Sequence, residues 1–109
     1  MNASRLDYER SLALHEAVAQ RVRDDPAILD RVRAKLEEWI GRGGRSVPLL
    51  LRWREVLSGS VDQISALLTD PSEDAAWLRS ASPFAGVLDS RTRLAILRRV
   101  RRAGDDGDS

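Results

Sequence analysis

Cysteine is absent from this chain of 109 residues. The fold therefore rests on no disulfide, and thiolate metal ligation and cysteine nucleophilic chemistry are both excluded. Histidine occurs once, as His15, and one imidazole with scattered carboxylates does not supply the convergent donor set that a zinc site requires. Net charge is nearly lacking as well. Eighteen basic against seventeen acidic side chains leave +1, too little for a long-range field toward nucleic acid or an anionic membrane. No apolar run approaches the ~18 residues of a membrane span. The N-terminus meets Arg5, Asp7, Glu9 and Arg10 at once, which reads as no signal peptide, no membrane partner and a cytoplasmic address. Lysine is confined to Lys35, and the other basic residues are arginine. That skew fits a GC-rich genome as well as a need for bidentate contacts.

What remains is material for one modest hydrophobic core: 42% apolar residues carry it, and 32% charged residues keep the chain soluble in character. Helix punctuation sets the expected elements. Ser4 with Asp7 forms a capping-box-like start to a first helix ending near Asp24. Asp25-Pro26 opens a second, to about Ile40, with Asp25 as N-cap. Gly41, Gly43 and Gly44 end it; Pro48 opens a third that stops at Gly59. Ser60 with Gln63, Asp70-Pro71 with Glu73, and Asp89 start the remaining three, the last reaching about Ala103. Apolar residues recur at steps of three and four, as in Ile28, Leu29, Val32, Leu36, Trp39 and Ile40, and nowhere alternate as a strand requires. The expectation is all-α: a compact bundle of about six helices, the first two the longest, spanning residues 1–103, with 104–109 as an acidic flexible tail.

No catalytic residue, cofactor site or metal ligand emerges from the pattern, so the chain is expected not to be an enzyme. His15 lies in line with Tyr8, Leu12, Ala19 and Val22, which suits an imidazole hydrogen-bonded at a core edge or interface better than a catalytic base. The loop Gly41 to Ser46 carries Arg42 and Arg45 on glycines but follows a helix, whereas a phosphate loop follows a strand. It reads as a connection, or as an anion or acidic-partner contact. Gln63 to Arg79 can be laid on a helix-turn-helix, but its second helix would open with Glu73 and Asp74 where phosphates approach.

Two features point to a partner. Ala81 to Arg93 is a connector that carries the only phenylalanine, Phe84, with Val87 and Leu88, and an apolar loop either buries such residues or offers them. Leu51 and Trp77 break their helix patterns on polar faces. Arginines of the last helix flank them in the expected partner-binding set: Leu51, Trp77, Phe84, Val87, Arg91, Arg93, Arg98 and Arg102. Arg93 falls within the apolar sector of that helix and should snorkel or meet a carboxylate. Arg79, Arg98 and Arg102 are the candidates for nucleic-acid contact. The seam from Tyr8 to Val22 suits a homodimer as well as the domain's own core.

Ser82-Pro83-Phe84-Ala85-Gly86-Val87-Leu88, then Arg91, Arg93 and Ile96, with Ser11-Leu12-Ala13-Leu14-His15 near the start, resemble a group of short all-helical bacterial proteins of antitoxin type. The resemblance runs from about Tyr8 to Val100. It implies a non-enzymatic interaction module that binds and neutralises a companion toxin enzyme, and it carries no set of functional residues. The chain lacks the distinct DNA-binding segment that many antitoxins add. A small nucleic-acid-binding transcriptional regulator is the alternative reading.

Overall fold

The computed structural model describes residues 2–107, and these form six α-helices with no strand among them. They are α1 (Asn2–Asp24), α2 (Ile28–Arg42), α3 (Val47–Leu57), α4 (Val61–Leu68), α5 (Glu73–Arg79) and α6 (Ser90–Gly107). The all-α bundle expected from the apolar spacing is the observed fold. Helix α1 is its spine, packing against α2, α4, α5 and α6, while α3 joins α2 to α4 and α5. Among the helices, α6 packs on α1 alone.

The helix starts show which polar residues cap and which do not. Ser60 forms a full capping box: its hydroxyl accepts from the Gln63 N–H at 3.1 Å, and the Gln63 side chain accepts from the Ser60 N–H at 2.9 Å. Asp89 likewise accepts from the Thr92 N–H at 2.7 Å. At α5 the cap is Ser72 rather than Asp70, whose carboxylate instead accepts from the Ser72 N–H and shapes the preceding turn. Two further expected starts differ. Helix α1 begins at Asn2, leaving Ser4 inside it. Helix α2 begins at Ile28 without a side-chain cap, because Asp25, Pro26 and Ala27 close tight turns through their carbonyls onto Ile28, Leu29 and Asp30.

Length order differs slightly from expectation. With 23 residues α1 is the longest, but α6 has 18 against 15 in α2. The last helix continues past Ala103 into the segment expected as an acidic tail, since a single Gly104 costs a helix only ~1 kcal/mol and no proline follows to stop it. Asp108 and Ser109 lie outside the described residues.

Trp53 is fully buried at the centre, with Val22, Leu36, Leu57, Ile64 and Leu68 as the other most deeply enclosed side chains of the helices. Its indole N–H donates to the Leu78 carbonyl at 2.7 Å. Cationic side chains then fasten the periphery by donating to a backbone carbonyl or a carboxylate. Arg33 reaches the Leu57 carbonyl at the end of α3 (2.9 Å), and Arg54 holds Glu37 through two N–H groups at 2.8 and 2.6 Å.

The caps give a direct test. Ser60→Ala should lower unfolding free energy by about 1 kcal/mol, whereas Asp25→Ala, which removes no helix cap, should change it by less than about 0.5 kcal/mol. Urea denaturation of the two variants measures both.

Candidate functional site

The connector between α5 and α6 is where the sequence and the structure diverge most. Phe84 is 3% exposed and meets Trp53 edge to face, with ring centroids 5.8 Å apart. It is a core residue, which corrects its expected role as a partner-binding anchor. The reason is local: the Phe84 carbonyl accepts from the Val87 N–H at 3.1 Å, closing a turn that puts Gly86 at φ +90° and folds the ring inward. Val87 and Leu88 are half-buried and pack on the same core. Lys35 fastens the turn from outside by donating to the Ala85 carbonyl at 2.7 Å.

Ser82 holds the connector to α1. The imidazole of His15 is buried, with Nδ1 2.7 Å from the Ser11 carbonyl and Nε2 2.8 Å from the Ser82 hydroxyl. A carbonyl only accepts, so Nδ1 carries the proton and Nε2 accepts from the Ser82 O–H. The Ser82 oxygen accepts in turn from the Phe84 N–H at 3.2 Å. His15 is thus an imidazole satisfied at a core edge. Burial holds its pKa below the ordinary histidine value; the Ser11 carbonyl opposes that shift, and the nearby Arg79 charge adds to it.

Arg79 is 3% exposed, which removes it from the candidates for nucleic-acid contact. It donates to the Asp70 carbonyl at 2.7 Å and the Leu67 carbonyl at 3.4 Å, so it caps the C-terminal end of α4, where a cation complements the helix dipole. Its guanidinium carbon lies 6.0 Å from the Tyr8 ring centre, and the Tyr8 hydroxyl donates to the Pro71 carbonyl. Nε and Nη2 of Arg79 have no hydrogen-bond partner among the described residues. The helix-turn-helix alignment therefore loses its one basic reader, while Glu73 and Asp74 stand in the first turn of α5.

A cavity of about 260 Å³ opens beside these groups, walled by α1, the end of α5, the connector and the start of α6. Leu14, Val18, Phe84 and Leu88 supply its apolar wall; His15, Ser82, Arg79 and Arg93 supply the polar one. Arg93, expected to snorkel or find a carboxylate, is exposed at the rim and joins no ion pair among the described residues. A broader concavity of about 410 Å³ lies across the connector beside the Gly41 to Ser46 loop. Its Arg42 is already paired with Glu38 at 2.8 Å, and Gly43, at φ +77°, ends α2 by donating to the Ile40 carbonyl. That loop is a helix stop first.

The remaining expected partner contacts stand on the outside. Leu51 is 41% exposed and Trp77 56%, with the Arg52 guanidinium 6.0 Å from the Trp77 ring centre. Arg91, Arg98 and Arg102 are exposed along α6. Leu94, on the same helix, is 48% exposed. Among the described residues no group of three or more histidines and carboxylates could hold a metal ion, and no helix is long and apolar enough to cross a membrane. Comparison of the chain with protein-family models, with curated proteins and with solved structures gives no match.

Two measurements follow from the connector. Phe84→Ala should destabilise the isolated protein by about 3–5 kcal/mol, the range for emptying a buried aromatic site; a loss below about 1 kcal/mol in urea denaturation returns Phe84 to the surface. His15 has a lowered folded pKa, so the unfolded chain takes up the proton first as pH falls. Stability is fully present above the unfolded value near 6.5 and declines as pH drops below it toward the lower folded value. Thermal midpoints between pH 7.5 and 5.5 should fall for the native chain and stay level for His15→Gln, since the carboxylates titrate below that window.

Proposed function

We propose that this chain is a non-enzymatic protein-binding module of antitoxin type, which docks on a companion toxin enzyme and blocks it sterically. The observation that carries the reading is the outer face of α6. That helix is held by α1 alone among the helices, with Ile96 buried in the seam. Steps of three and four along the opposite face bring together Arg91, Leu94, Arg98 and Arg102, all exposed. An exposed leucine framed by guanidinium groups has the composition of an interface centre, where arginine is enriched and lysine depleted. The Trp77 and Arg52 pair, with Leu51 nearby in sequence on α3, offers a second aromatic and cationic contact of the kind that carries binding energy.

Phe84 leaves the partner-binding set and Arg79 the nucleic-acid set, because burial commits both to the fold, while half-buried Val87 packs against the same core. The alternative of a small nucleic-acid-binding regulator now rests on Arg98 and Arg102, since α6 concentrates six arginines between Arg91 and Arg102.

Affinity capture of the tagged protein from its native cells, washed at moderate and then high salt, separates the two. One stoichiometric protein retained at high salt is the expected result. Leu94→Asp should reduce its recovery at least tenfold, equivalent to about 1.4 kcal/mol or more, without changing the helical content of the free chain. Nucleic acid that elutes with salt, in place of such a protein, supports the regulator. Replacing Arg98 and Arg102 should then flatten the salt dependence by about one counterion each.

A further inference from the structure

We propose that the cavity between α1, the connector and the start of α6 binds a small organic carboxylate with an apolar body. This site is independent of the outer face of α6. Its volume of about 260 Å³ suits a medium-chain or small aromatic acid rather than a nucleotide. Leu14, Val18 and Leu88 make a wall for the apolar body. Two guanidinium groups and no carboxylate line the space, so its charge favours an anion.

Arg79 carries the argument. It is almost wholly enclosed, held in place by the Asp70 and Leu67 carbonyls, and still has two nitrogens without partners among the described residues. Asp70 and Glu16 act on it only through longer-range attraction, and neither forms an ion pair with it. A buried cation with no counter-charge in contact is costly to the fold, and buried donors are ordinarily satisfied. Nε and Nη2 are closed off from the cavity, so an acid seated against the wall that Arg79 forms supplies the missing negative charge through space rather than by hydrogen bond. Arg93, exposed at the rim, closes on the carboxylate from α6 as a bidentate fork. The Ser82 hydroxyl, already fixed by His15 and by the Phe84 N–H, presents the neutral polar edge of the same wall.

His15 makes occupancy visible. The charged groups around it are Arg79 from α5 and Arg93 from α6, both lining the same cavity, with Glu16 adjoining on α1. A carboxylate entering among them offsets the arginine charges, so the pKa of His15 rises on binding.

The test titrates the full chain with octanoate, octan-1-ol and acetate, following the His15 ring resonances by NMR and the thermal midpoint. Octanoate should shift the His15 resonances saturably, raise its pKa and raise the midpoint, and should bind at least tenfold tighter than octan-1-ol or acetate. Arg93→Ala, an exposed position, should weaken octanoate at least tenfold while leaving the midpoint of the free protein unchanged, and Arg98→Ala should leave binding as it is. Equal binding of octan-1-ol overturns the anionic assignment. Unmoved His15 resonances, or an Arg98→Ala loss as large as that of Arg93→Ala, place the acid elsewhere and overturn the site.

Discussion

The Trp53 indole is the contact on which the rest of the bundle depends. It lies on α3, yet its N–H donates to the carbonyl of Leu78 on α5 and its ring meets that of Phe84, from the connector, edge to face. One side chain thus joins α3, α5 and the connector that follows α5. Burial of the large apolar surface supplies the energy, while the single N–H fixes the direction, because a buried donor without its acceptor is penalised. Placing Leu78 also places the end of α5, and with it Arg79 and the turn that leads to Ser82.

Around that centre the chain uses cationic side chains as fasteners for backbone carbonyls. Helix ends leave four carbonyls each without an intrahelical partner. Arg33 takes the Leu57 carbonyl, Arg79 the Leu67 and Asp70 carbonyls, and Lys35 the Ala85 carbonyl. A planar guanidinium suits this work, having five donors in a fixed fork and weaker hydration than an ammonium. The arginine content therefore has a structural component, since several arginines serve the fold and those of α6 do not. That division explains how a chain with almost no net charge still presents one markedly basic helix.

The fold was legible in the sequence wherever local chemistry decides it. Ser60 with Gln63, and Asp89 before α6, act within three residues, so their caps could be read directly. The helical stripe of α2 followed from spacing alone. Asp25-Pro26 was misread because a tight turn and an N-cap share the same residues, and only the backbone geometry separates them. The site was less legible. His15 and Ser82 are 67 positions apart, and no local signal links them; the hint was a lone histidine on an apolar stripe, which needs partners without naming them. Arg79 stands out in the sequence as the one basic residue of the helix-turn-helix alignment's second helix, whereas α1 covers it here through Tyr8.

Exposure, rather than residue type, decides which apolar side chains remain available to a partner, and the connector shows why the two separate. A loop can present an aromatic ring only if its backbone does not need that ring to be ordered. The Ser80 to Asp89 segment has few backbone bonds of its own, so Phe84, Ser82 and the Gly86 turn must hold it against the core. Helix α6 is in the opposite position. Its backbone bonds are internal, Ile96 anchors it to α1, and an exposed Leu94 costs the fold little. Of these two, Leu94 on the self-sufficient helix is therefore the one free to act in binding, and the more conspicuous Phe84 is consumed in making the loop.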